Sequence, residues 1–447
     1  MNLQDVEQLR DRLLEQLGKQ AQTARYFERY YDGDHIEFGV TSTKYRESFG
    51  GMLNAVRDNW MPIVVDAVGE RLRVQGFRFG EDTQGDHDAW SIWQRAHLDS
   101  ESELGHTTAL TASRAAVLVA PGPDDREIIT VEHPSQMVVA TESGNRWKRI
   151  AALKSWRDDW TGDTRATLYL PDDVLRWRRA SADGSNWEVL STELNPLGEV
   201  PVVPLRNRPN LFDVCKSELD AVTSTQNQIN KLVCDMLVAS EFQAFRQRWA
   251  TGVDIPLDPD TGQPVQPFAA AIDRLWMVPD EGAKFGEFGQ VDLKGYVGAI
   301  ENRVQSLASR SRTPAHYMLG QTGTFPSGES LKATETGLIA KVRSRQTHFG
   351  EAWEEVIRLA FKVRGDARAS VTDAETIWAD PESRTESEHV DAMVKRRALN
   401  VPLEQLWEDL GYSPTQISRF RQMLLDEAFT RAIAGGDLQQ PVEPAGV

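Results

Sequence analysis

Cysteine is scarce: Cys215 and Cys234 are the two in 447 residues. Neither belongs to a CxxC pair or a Cys/His set, and a structural zinc site needs about four such ligands. So few thiols fit a reducing compartment, and both are expected at helix-packing positions as small apolar residues. Long apolar runs are also missing. Nowhere do about 18 apolar residues follow one another, the length a membrane-spanning helix requires. The opening "MNLQDVEQLRDRLLEQL" is charged throughout, unlike the apolar core of a secretory leader, so synthesis in the cytoplasm is expected. Positive charge is in deficit as well, with a formal net charge of −17. A dedicated nucleic-acid binder usually presents a basic surface. An acidic chain can still meet DNA without gripping it.

The motifs of catalysis are absent too. There is no Gly-x4-Gly-Lys-Ser/Thr loop, no Gly-x-Gly-x-x-Gly turn, no Gly-x-Ser-x-Gly elbow and no His-Glu-x-x-His pair. His106, His133 and His316 fall in separate elements and are expected to be structural or exposed. Acid pairs such as Asp32/Asp34 and Asp124/Asp125 fall in turns, where Asp serves the backbone. No catalytic set, metal site or cofactor cradle assembles, so an enzyme is not expected.

What is present reads as an α+β chain with several domains, since 447 residues exceed one hydrophobic core. Residues 3 to 31 carry Leu9, Leu13, Leu14 and Leu17 at helical spacing. A second helix is predicted over 52–71, with Pro62 in a first turn or at a kink, then a short strand around Val74, Phe77 and Phe79. A third helix, 88–114, carries Trp90 and Trp93. From about 115 to 206 short alternating runs separated by Gly, Pro, Asp and Asn predict antiparallel β structure. Trp156 and Trp160 there, like Trp90 and Trp93, have a spacing expected of core residues.

Beyond Ser217 the character changes. No Pro or Gly interrupts residues 217 to 250, and Val222, Ile229 and Met236 recur every seven, with Leu219, Leu232, Val233 and Leu237 beside them. Such a helix would be roughly 50 Å long, with a narrow apolar stripe suited to packing against neighbours. A Pro- and Gly-rich insert follows, with eight Asp and Glu against Arg274 and Lys284 between 251 and 292. A returning helix, 291–312, carries Leu293, Val297, Ile300, Val304 and Leu307 on one face. A long helix over 328–363, a strand at "AETIWADP" and three C-terminal helices complete the pattern, with a Pro/Gly-rich tail expected to be disordered.

Two stretches invite a chemical reading. "HYMLGQTGTFPSGESLKATE" (316–335) is a Gly-rich loop before a helix, the outline of a phosphate cradle. Yet Gly320, Gly323 and Gly328 are not followed by Lys-Ser/Thr, and no strand precedes them. An exposed loop with Ser327 as helix cap is the plainer reading. "VPLEQLWEDLGYSPTQISRFRQ" (401–422) has the outline of a helix-turn-helix, with Arg419 and Arg421 on its second helix. Glu404, Glu408 and Asp409 crowd the first helix and favour a plain helical hairpin. A DNA-binding protein using 401–422 stands as the alternative function.

Taken in order, "RYYDGDH", "NWMPIVVDAVGERLRVQGFRF", "NQINKLVCDMLVASEF", "SRTPAHYMLGQTGTFPSGESLKATETGL" and "LWEDLGYSPTQISR" resemble the portal proteins of tailed double-stranded DNA bacteriophages, of the siphophage type. The resemblance spans nearly the whole chain. It implies a portal-type α+β subunit with a mixed α/β wing, long-helix stem hairpin, small acidic clip and helical crown. The wing would comprise 1–216 and 329–383, the stem 217–250 and 291–312, the clip 251–290, and the crown and tail 384–447. Residues 313–328 would form the tunnel loop. Twelve subunits would make a ring at one capsid vertex, the conduit for DNA packaging and ejection. Its partners would be the terminase large subunit, the head–tail connector protein, the major capsid protein, a scaffold and the DNA passing through. The location would be the virion, after assembly in the host cytoplasm.

On this resemblance Gln321, Thr322, Thr324 and Phe325 would lie next to DNA, with Gly320, Gly323 and Gly328 as hinges. Asp258, Asp260, Asp273, Asp280 and Glu281 would form the clip docking surface. Residues 313 to 328 contain no Lys, Arg, Asp or Glu. That suits a loop along which duplex must slide, since a cation there would make charge-assisted bonds to phosphate that each step must break. Twelve copies would carry 12 × (−17) formal charges, a repulsive lining that discourages sticking.

Overall fold

The computed structural model describes residues 3–34, 58–80, 82, 85–123, 126–180, 186–244, 248–252, 259, 262, 282, 284–287, 292–319, 328–382 and 386–433. It divides into two compact units, one of residues 1–35, 59–224 and 307–447, the other of 36–58 and 225–306. The chain is mixed α and β, as the sequence pattern predicts.

The first unit opens with α1 (Leu3–Tyr31). It lies on a five-stranded antiparallel sheet, order β4-β5-β6-β7-β8, of β4 (Met137–Glu142), β5 (Asn145–Arg157), β6 (Thr164–Tyr169), β7 (Asp173–Arg179) and β8 (Glu188–Leu194). Register explains the core. Val138 pairs with Leu153, Leu153 with Leu168 and Leu168 with Leu175, so one face of four strands is aliphatic. Val6, Leu13 and Leu17 of α1 close over it together with Trp177. Each such buried aliphatic side chain contributes about 1.5–3 kcal/mol.

The opposite face, through Met137 and Ala152, packs on Ala116, Leu118 and Val202 of a second sheet, order β3-β2-β9. Its strands are β2 (Arg114–Pro121), β3 (Glu127–Glu132) and β9 (Val202–Arg206). Behind it run α4 (Leu98–Ala112) and the 36-residue α7 (Gly328–Val363). Gly105 lets α4 approach this sheet: a Cβ there would sit 3.0 Å from Val131 Cγ1 and 3.3 Å from Leu205 Cδ1.

Helix α2 (Met61–Gly69) carries Pro62 in its first turn, as predicted; residues 52–57 of the expected helix lie outside the described residues. The expected single helix over 88–114 is two, α3 (His87–Arg95) and α4. They part at His97, whose φ of 55° is left-handed. The Asp99 carboxylate fixes the corner by accepting from Trp93 Nε1 at 2.9 Å and Gln94 Nε2 at 2.7 Å. The strand β1 (Val74–Phe79) pairs antiparallel with the late strand β12 (Ala374–Trp378). Above β1, Trp90 and Trp93 stack at 6.3 Å and Trp93 meets Trp353 of α7 edge-on at 4.9 Å. That pair is core, as its spacing suggests. The other pair is not: Trp160 is 98% exposed on the turn after β5. There its backbone N–H serves the turn, donating to Asp158 Oδ1.

The expected helix over 217–250 is shorter at both ends. Helix α5 spans Thr223–Ala244 and the strand β10 takes Arg248–Thr251. Residues 217–222 turn instead of continuing the helix because their backbone is bonded elsewhere. Glu218 N donates to the Leu110 carbonyl of α4 at 2.9 Å, and Ser217 Oγ accepts from Leu219 N at 3.0 Å. At the far end β10 pairs antiparallel with β11 (Lys284–Glu287), which closes the base of the insert. In the second unit Arg303 of the returning helix α6 (Leu293–Ser311) reaches Gln228 of α5 at 3.5 Å. The stripe on α5 is graded: Ile229 and Cys234 are buried, while Leu232, Val233, Met236 and Leu237 are half-buried. Cys234 packs on a helix as expected. Cys215 does not; it sits half-buried in the loop before Ser217.

Three helices end the described chain, α8 (Glu386–Ala398), α9 (Leu403–Asp409) and α10 (Pro414–Ile433). They dock on β1 and α3 through Pro414, which fills space that Gly76 and Gly85 leave open. A Cβ on Gly85 would lie 2.6 Å from Pro414 Cγ.

Candidate functional site: the ion-paired frame of the long helix

Helix α7 begins beside the Gly-rich segment and carries a frame of buried charge. Glu218 is its centre, with its side chain 3% exposed. Lys341 Nζ approaches at 2.9 Å, and Arg345 donates to Oε1 from Nε at 2.9 Å and from a terminal nitrogen at 2.7 Å. Asn207 adds a donor at 3.2 Å. Burial alone would push the Glu218 carboxyl up, but Lys341 and Arg345 outweigh it and hold it at about 2. Lys341 also donates to the Ser311 carbonyl at 3.0 Å, so the end of α6 is tied into the same cluster.

A second clamp joins residues on either side of 320–327 in the sequence. Tyr317 Oη accepts from Arg71 at 2.7 Å and donates to Glu335 Oε1 at 2.8 Å. Burial, reinforced by the bond to Glu335, raises the phenol. Tyr317 and Glu335 stand on either side of residues 320–327, so the two flanks of that segment are bonded to each other. Further along α7, Arg358 pairs with Glu355 and Glu199 at 2.6 Å each, and Lys362 meets Glu199 at 2.5 Å. Arg149 of β5 joins Glu355. These pairs tie the helix to the sheets.

A cleft of about 870 Å³ opens between α7, β9 and the start of β5. Trp147, 65% exposed, stands at its edge with the Arg146 and Arg206 guanidinium carbons 5.4 and 6.0 Å from its ring centroid. Asp213 holds Arg206 at 3.0 Å. Nothing in the spacing of Trp147 marks it; only the fold brings it beside Arg206.

Most of the carboxylates and cations named above thus pair with one another. His133 bonds Glu28 through Nε2 at 2.5 Å, while its Nδ1 meets Ser135 Oγ at 2.7 Å and the Ser135 backbone N–H at 3.2 Å, a turn brace. His106 accepts from Trp353 Nε1 at 2.8 Å and stacks on Phe349; burial pushes it down to about 3. Burial raises the Cys215 thiol, which disfavours the reactive thiolate. Among the described residues no group of three or more His, Cys, Asp or Glu could hold a metal ion, and no helix is long and apolar enough to cross a membrane.

Of the residues singled out in the sequence, Gly328 opens α7. Gly320, Gln321, Thr322, Gly323, Thr324, Phe325 and Ser327 lie outside the described residues, as do Asp258, Asp260, Asp273, Asp280 and Glu281. The helical outline at 401–422 is present as α9 and α10. Its Arg421 is occupied by Glu404, at 2.6 and 2.8 Å, and Glu408 of α9 pairs with Arg78 of β1. The segment is thus braced internally and against the fold.

The buried charges of this mixed α/β subunit lock its elements together. The chain matches the family model for the SPP1 Gp6-like phage portal protein over residues 10–412, and it belongs to that family. It is 28% identical over 442 residues to the portal protein of Mycobacterium phage D29, covering 94% of this chain and 88% of that one. It is 29% identical over 422 residues to the portal protein of Mycobacterium phage L5, covering 89% and 84%. A chain from the virion of a native gene transfer agent particle aligns with a TM-score of 0.42 and 12% identity, over 78% of this chain and 83% of that chain. As a phage portal protein the chain is a non-enzymatic component of the phage particle.

Proposed function

We propose that the chain assembles as a homo-oligomeric ring, of twelve subunits in the virion, through which double-stranded DNA enters and leaves the capsid. The observation that carries this reading is the portal-family match across residues 10–412. In the proposed division, the wing is 1–216 with 329–383, the stem 217–250 with 291–312, the clip 251–290 and the crown 384–447. The β10–β11 pair supports a compact clip, because it brings both ends of the insert together. The half-covered stripe of α5 and the 46% exposed Val297 of α6 leave apolar surface for neighbouring subunits along the stem.

Residues 313–328 form the tunnel loop in this reading. Gln321, Thr322, Thr324 and Phe325 meet the moving duplex weakly, and Gly320, Gly323 and Gly328 give the loop freedom. The Tyr317–Glu335–Arg71 clamp supports it by tying Tyr317 to Glu335 of α7 and to Arg71, just past the end of α2. Asp258, Asp260, Asp273, Asp280 and Glu281 present an acidic clip surface to the terminase large subunit and then to the head–tail connector. The wing meets the major capsid protein and any scaffold. Assembly takes place in the host cytoplasm.

Negative-stain electron microscopy with light-scattering mass tests the ring. Particles with a central hole and a mass near twelve chains are expected; a monomer that neither capsid nor scaffold protein converts to rings would overturn the reading. Replacing Gln321 and Thr324 with lysine should slow DNA translocation while rings still form. Unchanged packaging rates in that variant would remove the tunnel-loop assignment.

A further inference from the structure

Tryptophan seldom stands wholly in solvent, because its large apolar ring stabilises a core or an interface when buried. Trp160 is 98% exposed, yet the turn that carries it is firmly built. Asp158 Oδ1 accepts from the backbone N–H of Trp160 at 3.0 Å and of Thr161 at 3.3 Å. Asp158 N donates to the Asp163 carbonyl at 2.8 Å, and Gly162 N donates to the Asp158 carbonyl at 2.7 Å, with Gly162 at a left-handed φ of 72°. The indole is therefore held out on a fixed base. An aromatic side chain that is preorganised and unused by its own fold is suited to anchor a protein contact.

The cleft beside Trp147 lies at the other end of the same strand. Val203, Pro204, Leu211 and Ala352 give it apolar walls. Trp147 with the Arg206 guanidinium gives it a face on which a second aromatic ring can stack. Its volume of about 870 Å³ falls in the range of sites that enclose a small organic group, so an indole fits. Strand β5 spans 13 residues, roughly 40 Å at about 3.3 Å per residue. No chain can therefore place Trp160 in its own cleft.

The spare charges at the two places match. At the cleft Asp213 holds Arg206 and Glu355 holds Arg149, and burial lowers His348, which is neutral at pH 7. Arg146 and Glu351 there keep no ion-pair partner among the described residues. At the turn Arg165 meets Asp158 at 3.6 Å and Arg178 meets Asp163 at 2.7 Å, which leaves Arg157 and Asp159 without one. Each place thus offers one cation and one carboxylate. Two unlike patches at opposite ends of an element make a head-to-tail contact, which propagates until it closes. We propose that Trp160 of one subunit enters the Trp147 cleft of the next copy of this chain, with Asp159 beside Arg146 and Arg157 beside Glu351. The proposal rests on the ring reading above and adds to it a contact and its direction.

Substitutions in the full-length chain test it. Trp160→Ala and Trp147→Ala should each raise the protein concentration needed for half-assembly about tenfold or more, as loss of a buried aromatic anchor does. Because Trp160 is bare in the subunit, the unfolding midpoint of the unassembled Trp160→Ala chain should not move. Asp159→Arg or Arg146→Asp alone should raise the assembly concentration up to about fivefold. The two together should restore it, which a misfolded variant would not do. If wild-type rings form and either tryptophan variant assembles like the wild type, or the paired reversal fails to rescue, this contact is wrong and the ring reading stands. Trp160→Ala rings that form normally but no longer bind the purified major capsid protein would overturn it too, by assigning the indole to that partner. If the wild type makes no rings even with its capsid partners, the ring reading falls and takes the contact with it.

Discussion

Two parts of the first unit hold together by opposite means. Where α1 covers the five-stranded sheet, Val6, Leu13, Leu17, Leu153, Leu168 and Trp177 form an apolar layer, with the Arg10 guanidinium stacked over the Trp177 ring at 5.4 Å. Where α7 meets Glu218 and the end of α6, the interior is Glu218, Lys341 and Arg345, all under 10% exposed. Apolar burial is non-directional and tolerates small shifts. A buried ion cluster stabilises only when every partner is in place, and removing one member leaves an uncompensated charge. The first means suits a platform. The second suits the frame of a segment whose position must be fixed, and it lies at the base of residues 313–319.

That contrast can be broken experimentally, beginning where the effect is largest. Glu218→Gln leaves Lys341 and Arg345 without their carboxylate and should cost about 3–5 kcal/mol. It should be measured by denaturant unfolding at neutral pH. A loss below about 1 kcal/mol would show that the cluster is solvated and not a true core. Leu168→Ala, in the apolar part, should cost about 2–5 kcal/mol through transfer and cavity losses. Its loss should be the same at pH 5 and pH 8, since nothing near it titrates.

Acid separates the two means further. His106 is held near 3 in the folded protein by burial, against about 6.5 unfolded. Between those values the unfolded chain holds the extra proton, so stability falls as pH drops below about 6.5, by about 1.4 kcal/mol per unit. Glu218, near 2 when folded, contributes fully above its unfolded value of about 4.5 and loses that contribution as pH falls toward 2. Unfolding midpoints across pH 2–8 should therefore decline in two stages. In His106→Gln the stage between about 6.5 and 4.5 should vanish; its persistence would assign that stage to other groups. The smallest effect is expected from Tyr317→Phe, which removes one hydroxyl from between Arg71 and Glu335. It should cost about 1 kcal/mol, and hydrogen exchange should show faster opening around 313–319 with the α1 sheet unchanged.

Much of this fold was legible in the residues. The periodicity of α1 and the uninterrupted run from 328 to 363 match the observed helices, and Pro62 marks the first turn of α2. The departures share one cause, local pattern overridden by distant partners. Ser217 to Val222 has good helical composition, yet Leu110 takes its backbone. Arg248 to Thr251 leaves the helix because Lys284 to Glu287 offers strand pairing. Trp160 has core-like spacing from Trp156 but sits on a turn that leads it into solvent. The candidate site was legible only in part. The uncharged segment 313–328 stood out by composition, while Glu218, Tyr317 and Trp147 carried no signal, because a lone carboxylate or aromatic gains meaning only from what lies across from it.

Short-range physics is written in the residues themselves: helix and strand periods, turn chemistry, a strongly acidic balance, and the order of segments that marks the portal family. Closure of the fold was needed to settle which charges are buried together, where the long helices stop, and which tryptophans stay exposed at the ends of β5. The reason is physical. Periodicity acts over a few residues, whereas an ion pair between positions 218 and 345, or a strand pairing between 77 and 376, exists only once the chain has closed the loops that separate them.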